Sequence, residues 1–379
     1  MKIGLVLPYN ITKHGGVREH VLAQHDELVL RGHDLVIITP QPREPYVSDD
    51  RKVIFLGTAT EVKAMHTTPT VSASVLTDEI DSMLEHEQFD ILHFHEPWVP
   101  VLSRQILSRS RTVNVATFHA KLPETMMSRT MGKVITPYTK PLLRHIDAFT
   151  AVSNAAADYL LSIADVPVQI VPNGINLKHF RKPADIVRPK DQPKTILYVG
   201  RLEQRKGVKY LLDAFAELQA RQPDVRLLIA GSGSDREVRT FELQAQELGL
   251  TNTKFLGFID EATKIQLLHT ADLFCSPALY GESFGIVLVE AMASGLVTVA
   301  GNNPGYESVM QGLGMLSLVN PKDTSQFAHR LQLLLYDDDL RSVWQKWAKD
   351  YVRQFDWPKV VDLYETVYKT ALQTTREKN

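Results

Sequence analysis

Short apolar, β-branched runs alternate with helical patterns along most of the chain. In the first half the runs cover residues 3–7, 35–39, 53–56, 91–94, 113–118, 148–152 and 168–171. A second series covers 196–199, 227–230, 254–256, 273–275, 297–300 and 315–318. The runs are continuously apolar rather than alternating, which predicts strands of parallel sheets covered on both faces. After the first run, Val17, Val21, Leu22 and Leu28 recur at helical spacing. Strand and helix in regular alternation predict an α/β protein with crossover helices.

Residues 181–194 interrupt the alternation with Pro183, Pro189 and Pro193 and no periodicity, and read as a linker. Two domains are therefore expected, 1–180 and 195–356, a division that suits 379 residues. A last amphipathic helix follows Phe355-Asp356-Trp357-Pro358, with Val360, Val361, Leu363, Tyr364, Val367 and Tyr368. Doubly wound domains bind ligands at the carboxyl ends of their strands, so two of them are expected to face a central cleft.

Composition narrows the function. A net charge of −2 lacks the basic excess that nucleic-acid binding leaves, so no nucleic-acid partner is expected. Cys275 is the single cysteine and sits in an apolar run, which reads as a buried structural thiol. The stretch 286–300 is broken by Glu290 and Ser294-Gly295, so it reads as helix, turn and strand rather than a membrane span. A cytoplasmic protein is expected, with a possible peripheral place on the inner face of the plasma membrane.

The strongest chemical signal is Glu282-Ser283-Phe284-Gly285-Ile286-Val287-Leu288-Val289-Glu290, two carboxylates with seven residues between them. Gly281 and Gly285 predict a loop that turns into a helix near Ser283, with its N–H groups toward a ligand. Glu282 belongs at the mouth of that site. Glu290 projects from an apolar helix and needs a partner, either a ribose diol or a core cation. Next comes Gly200-Arg201-Leu202-Glu203-Gln204-Arg205-Lys206-Gly207, directly after a strand. Arg201 can grip phosphate oxygens and Lys206 adds a point charge, or the stretch is a solvated loop. Gly15-Gly16 opens the first helix, and permits close backbone approach or simply turns the chain. Gly231-Ser232-Gly233 lacks the third glycine of a dinucleotide fingerprint. His95 and His119 end adjacent strands, where ligands bind. No Cys or Asp cluster completes a metal site with them and Glu96, so no metal is expected. His93 is expected on the opposite face of its strand, in the core.

Together these stretches resemble the GT-B fold retaining glycosyltransferases of family 4. The resemblance is carried by Pro8-Tyr9 with Gly15-Gly16-Val17, Asp90 to Pro97, Ala116 to His119, Val171-Pro172-Asn173-Gly174, Gly200-Arg201 with Arg205-Lys206-Gly207, and the Glu282…Glu290 motif. Within the family the bacterial phosphatidylinositol mannosyltransferases are most similar in appearance. The resemblance implies two Rossmann-like domains, with the helix 357–379 crossing back to the first. It implies that Arg201 and Lys206 hold a donor diphosphate capped by Gly16. Glu282 would contact the transferred sugar, and Gly285, Ile286 and Glu290 would complete donor binding, Glu290 at the ribose. His119 would line the reaction centre. No cofactor beyond the nucleotide-sugar donor is implied: GDP-mannose, or alternatively UDP-glucose.

The acceptor implied is a phosphatidylinositol-type lipid, the alternatives being diacylglycerol or a soluble acceptor; a sugar-nucleotide epimerase is the rival of another class. One departure concerns the membrane. The mannosyltransferases carry a basic helix before the His-Glu-Pro strand, whereas residues 74–88 here hold five acidic residues and no Lys or Arg. Docking on an anionic membrane is instead expected through 126–144. On a helical wheel, Arg129, Lys133, Lys140 and Arg144 gather on one side of that segment and Met127, Met131, Val134, Ile135, Tyr138 and Leu142 on the other. An ordinary surface helix fits the same pattern.

Overall fold

The computed structural model describes residues 1–46, 50–61, 70–72, 77–99, 101–121, 136–183, 186 and 192–378. The chain forms two compact units, Met1–Gly174 with Trp357–Asn379, and Ile175–Asp356.

The first unit is built on strands β1 (Lys2–Val6), β2 (Asp34–Gln41), β3 (Val53–Glu61), β4 (Thr70–Ser72), β5 (Ile91–His95), β6 (Val113–Phe118), β7 (Ala148–Ala151) and β8 (Val168–Ile170). Their order is β4-β3-β2-β1-β5-β6-β7-β8. All described pairings are parallel except β3 with β4. In β1, Ile3, Leu5 and Val6 are all fully buried, so both faces of the sheet are covered and the run reads apolar without alternation. The terminal helix Trp357–Lys378 packs into this unit's core, where Val360, Val361, Tyr364 and Tyr368 lie completely buried with Ile3, Leu5, Val21 and Leu28. Each such burial stabilises by roughly 1.5–3 kcal/mol. At the start of that helix, a Cβ on Gly174 would lie 2.5 Å from the Trp357 indole, so only glycine admits the contact.

The second unit holds β9 (Thr195–Val199), β10 (Arg226–Ala230), β11 (Thr253–Gly257), β12 (Leu273–Ser276), β13 (Val297–Gly301) and β14 (Leu318–Val319). Their order is β11-β10-β9-β12-β13-β14, parallel throughout. Cys275 is buried within β12. Both units are thus doubly wound Rossmann-like sheets.

Two sequence expectations need correction. Residues 315–318 are not a strand: a 3-10 turn, Gly312–Ser317, leaves Met315 62% exposed, and only Leu318–Val319 pairs with β13. Thr70–Ser72 is an additional antiparallel edge strand. Most of the linker 181–194 lies outside the described residues. Among the described residues, no helix is long and apolar enough to cross a membrane.

In each sheet the strand order reverses once, between β1 and β5 and between β9 and β12. Loops leaving such neighbouring strands in opposite directions open a crevice at their carboxyl ends. Those loops carry the candidate residues.

Candidate active site

In the second unit, β9 runs into Gly200 and Arg201, then a 3-10 turn, Gln204–Lys206, and the helix Val208–Arg221. Gly207 joins turn to helix at φ 76°, and a Cβ there would lie 2.0 Å from the Pro277 carbonyl oxygen. Leu279 donates its N–H to the Arg205 carbonyl at 2.8 Å. The loops after β9 and β12 are therefore interlocked, and only glycine fits between them.

This lock brings Glu282 to the cations. Its Oε1 accepts from Arg205 Nη1 at 2.7 Å and lies 2.8 Å from Lys206 Nζ. Arg205 also donates from Nε to Glu203 at 2.8 Å and from Nη1 to the Gly281 carbonyl at 3.3 Å. Its side chain is only 8% exposed. Burial opposes its charge, and the carboxylates of Glu282 and Glu203 overcome that, raising its pKa. Arg201 is more exposed and pairs with Glu203 at 2.7 Å.

The helix Ile286–Ala293 starts three residues later than the sequence suggests, because Gly285 occupies φ 107° at its N-cap. A Cβ on Gly285 would meet the Tyr306 ring at 2.6 Å. Ile286 is 40% exposed at the first helical position. Glu290 is partly buried, and that desolvation raises its pKa against the pull of Lys264, whose Nζ lies 3.0 Å away. Lys264 also pairs with Glu261 at 2.9 Å.

In the first unit, Gly16 begins the helix Gly16–Leu30, and nothing lies within 4 Å of a Cβ built on it. One turn further, His20 meets a histidine cluster at the ends of β5 and β6. His95 Nδ1 and His119 Nε2 are 2.9 Å apart, and the His20 ring sits edge-on to His119 with centroids 4.8 Å apart. His93 stacks on His95 at 4.3 Å, so it shares that face of the strand, correcting the expectation of the opposite one. Residues two apart in a strand point the same way. Burial lowers the pKa of His20 to about 4 and of His93 to about 3, and holds His95 and His119 well below 6.5. All four are neutral at pH 7.

Glu96 braces the cluster: its Oε1 accepts from the backbone N–H groups of His119 (2.8 Å) and Ala120 (2.6 Å). The residue adopts φ 52°, a strained conformation for a non-glycine. Burial raises its pKa to about 8, against the two backbone hydrogen bonds. One nitrogen each of His20, His95 and His119 lie within 4.8 Å of one another, a spacing a metal ion can use. Here those rings are engaged in hydrogen bonds, His20 with Asn173 (3.0 Å) and Tyr364 (3.1 Å), His95 with His119.

Of the expected residues, Lys206 and Glu282 meet on the loops after β9 and β12, Arg201 lies on the first of them, Glu290 follows on the next helix and His119 ends β6; their neighbours Arg205, His20 and Lys264 carried no expected role. Arg205 lay inside the quoted stretch, and only the fold shows it turned inward. Of the basic face expected in 126–144, Arg129 and Lys133 lie outside the described residues. Lys140 and Arg144 are exposed on the turn Lys140–His145, whose Leu142 and Leu143 are buried.

Residues 14–179 match the family model "Glycosyltransferase Family 4", and 181–351 match "Glycosyl transferases group 1". A phosphatidyl-myo-inositol mannosyltransferase of Mycolicibacterium smegmatis is 32% identical over 98% of this chain and 94% of its own. The chain belongs to glycosyltransferase family 4. It is a hexosyltransferase. Solved structures confirm the GT-B fold: sucrose-phosphate synthase of Thermosynechococcus elongatus superposes with TM-score 0.78 at 21% identity, covering 98% and 99% of the two chains. Anabaena HepE in complex with UDP-glucose gives 0.72 at 20% identity over the full length of both.

Proposed function

We propose that this glycosyltransferase moves mannose from GDP-mannose to a phosphatidylinositol-type lipid with retention of configuration. The observation that carries the transfer chemistry is the cluster of Arg205, Lys206 and Glu282 on two interlocked loops. Lys206 and Arg201 hold the diphosphate and stabilise the charge it gains on leaving. Glu282 orients the sugar, Glu290 takes the ribose, and Gly285 and Ile286 border the nucleotide. His119 and Gly16 are the first unit's contributions to the same reaction. The acceptor hydroxyl oxygen forms a bond to the anomeric carbon as the bond to the diphosphate breaks. Its proton passes to the departing phosphate oxygen on the same face. The choice of mannose and of the inositol lipid is supported by the name and 32% identity of the mycobacterial relative.

Incubation with GDP-mannose and UDP-glucose, each with and without phosphatidylinositol vesicles, tests the proposal. Diphosphate release from GDP-mannose that depends on the lipid, with an α-linked product, is the expected result. Preference for UDP-glucose would overturn the donor. Sugar isomerisation without acceptor would replace transfer with epimerisation.

A further inference from the structure

The buried hydrogen bonds of the first unit fix where its imidazole protons sit. Thr150 Oγ1 donates to the Ala116 carbonyl at 3.0 Å, so it accepts from Thr117 Oγ1 at 2.6 Å. With that hydrogen committed, Thr117 accepts from His93 Nε2 at 2.6 Å. A neutral imidazole has one N–H, so His93 Nδ1 is an acceptor, served by the Tyr368 hydroxyl at 2.7 Å. His20 is the opposite tautomer. Its Nδ1 donates to Asn173 Oδ1, and its Nε2 accepts from the Tyr364 hydroxyl.

One proton lies between His95 Nδ1 and His119 Nε2. His95 is completely buried, and its Nε2 has no hydrogen-bond partner among the described residues. Were its proton on Nε2, a buried N–H would be orphaned; with the proton on Nδ1, only a lone pair is left over. Orphaned buried N–H groups are rarer than under-satisfied acceptors.

We infer that His95 is a positioning residue that donates from Nδ1 to His119 Nε2 and so holds His119 with its proton on Nδ1. His119 then offers substrate a hydrogen-bond donor, not a base. Among the described residues no partner occupies that nitrogen, and His119 is 8% exposed while His95 is not at all. The ring is hemmed in by its neighbours: His20 packs edge-on against it and His95 Nδ1 lies 2.9 Å from its Nε2. A donor there binds a sugar hydroxyl oxygen or the developing charge on an oxygen. The acceptor's proton must then leave by another route, which is the departing phosphate. This role rests on the reading that His119 lines the reaction centre; the tautomer does not.

Long-range proton–nitrogen spectra of the full-length protein labelled with ¹⁵N-histidine, at pH 7, test the inference. Resonances are assigned with His119→Gln and His95→Phe. His119 should show a protonated Nδ1 and a bare Nε2. In His95→Phe that fixed pattern should be lost and kcat should fall at least about tenfold, the worth of one hydrogen bond, with donor KM unchanged. His95→Gln, whose amide can donate to the same nitrogen, should recover most of the activity. A protonated Nε2 on His119 of the native protein overturns the inference, and so does an unchanged tautomer in His95→Phe. If that variant does not fold, the native spectrum decides alone. The inferred tautomer together with full activity of His119→Gln would support the His95 assignment and overturn the catalytic role.

Discussion

At the scale of single residues, the two arginines of the loop after β9 are expected to behave differently. Arg201 is half-exposed, whereas Arg205 is buried between Glu203 and Glu282 and holds the Gly281 carbonyl as well. Arg205→Ala leaves Glu282 with Lys206 alone and uncouples two loops. Loss of a charged hydrogen bond costs ~1.5–3 kcal/mol, so urea unfolding should show that loss for Arg205→Ala and less than half of it for Arg201→Ala. Donor titration should show weaker binding in both. Equal stability of the two variants would contradict the bracing role. The histidines carry a second expectation. Their folded pKa values lie below the unfolded 6.5, at about 4 for His20 and about 3 for His93. Between pH 6.5 and those values the unfolded chain binds more protons, so stability is full above 6.5 and falls on acidification. Glu96 works the other way, since a carboxyl raised to about 8 gains protons in the folded state first. Four lowered imidazoles outweigh it. Urea midpoints should therefore drop between pH 7 and pH 5, before ordinary carboxylates titrate, and drop less in His93→Gln.

At the scale of elements, strand positions were legible because burial on both faces writes an unbroken apolar run. Residues 113–118 and 91–94 fall on β6 and β5 almost residue for residue. The failures have physical causes. Met315 and Leu316 are apolar but exposed, so hydrophobicity there did not report a sheet. Thr70–Ser72 is too short and too polar to announce itself. In the site, charged residues at strand ends were legible by type, yet which of Arg201, Arg205 and Lys206 turns inward depends on Gly207 and its contact with Pro277. That contact is testable. Gly207→Ala forces a Cβ into a left-handed position 2.0 Å from a backbone carbonyl oxygen. Such strain costs on the order of 1–3 kcal/mol and should separate the loops. Thermal unfolding should show a lower midpoint, and calorimetry a weakened nucleoside diphosphate; unchanged binding in a folded variant would mean the lock does not set the site.

At the scale of the whole molecule, a net charge of −2 gives no general attraction to an anionic membrane, so any docking must come from a local patch. The helix Thr77–Glu87 exposes Asp78, Glu79, Asp81 and Glu85 and is repelled by such a surface. Its one buried carboxylate, Glu87, is already paired with Lys2 at 2.8 Å and Lys52 at 2.6 Å. The sequence places a basic set elsewhere, at Arg129, Lys133, Lys140 and Arg144, of which the last two are exposed. Each cation near an anionic surface adds about 1 kcal/mol, screened by salt over a Debye length of about 10 Å at 0.1 M. Four of them are enough for reversible binding without a spanning segment. Vesicles containing phosphatidylinositol should therefore carry the protein upward in a density gradient at low salt and release it as salt rises. The variant with all four residues changed to Gln should stay at the bottom while keeping its donor affinity, because donor binding is proposed for the other unit. Equal flotation of that variant would rule out this surface. If the native protein does not float at all, transfer to a soluble acceptor becomes the better account of the same donor chemistry.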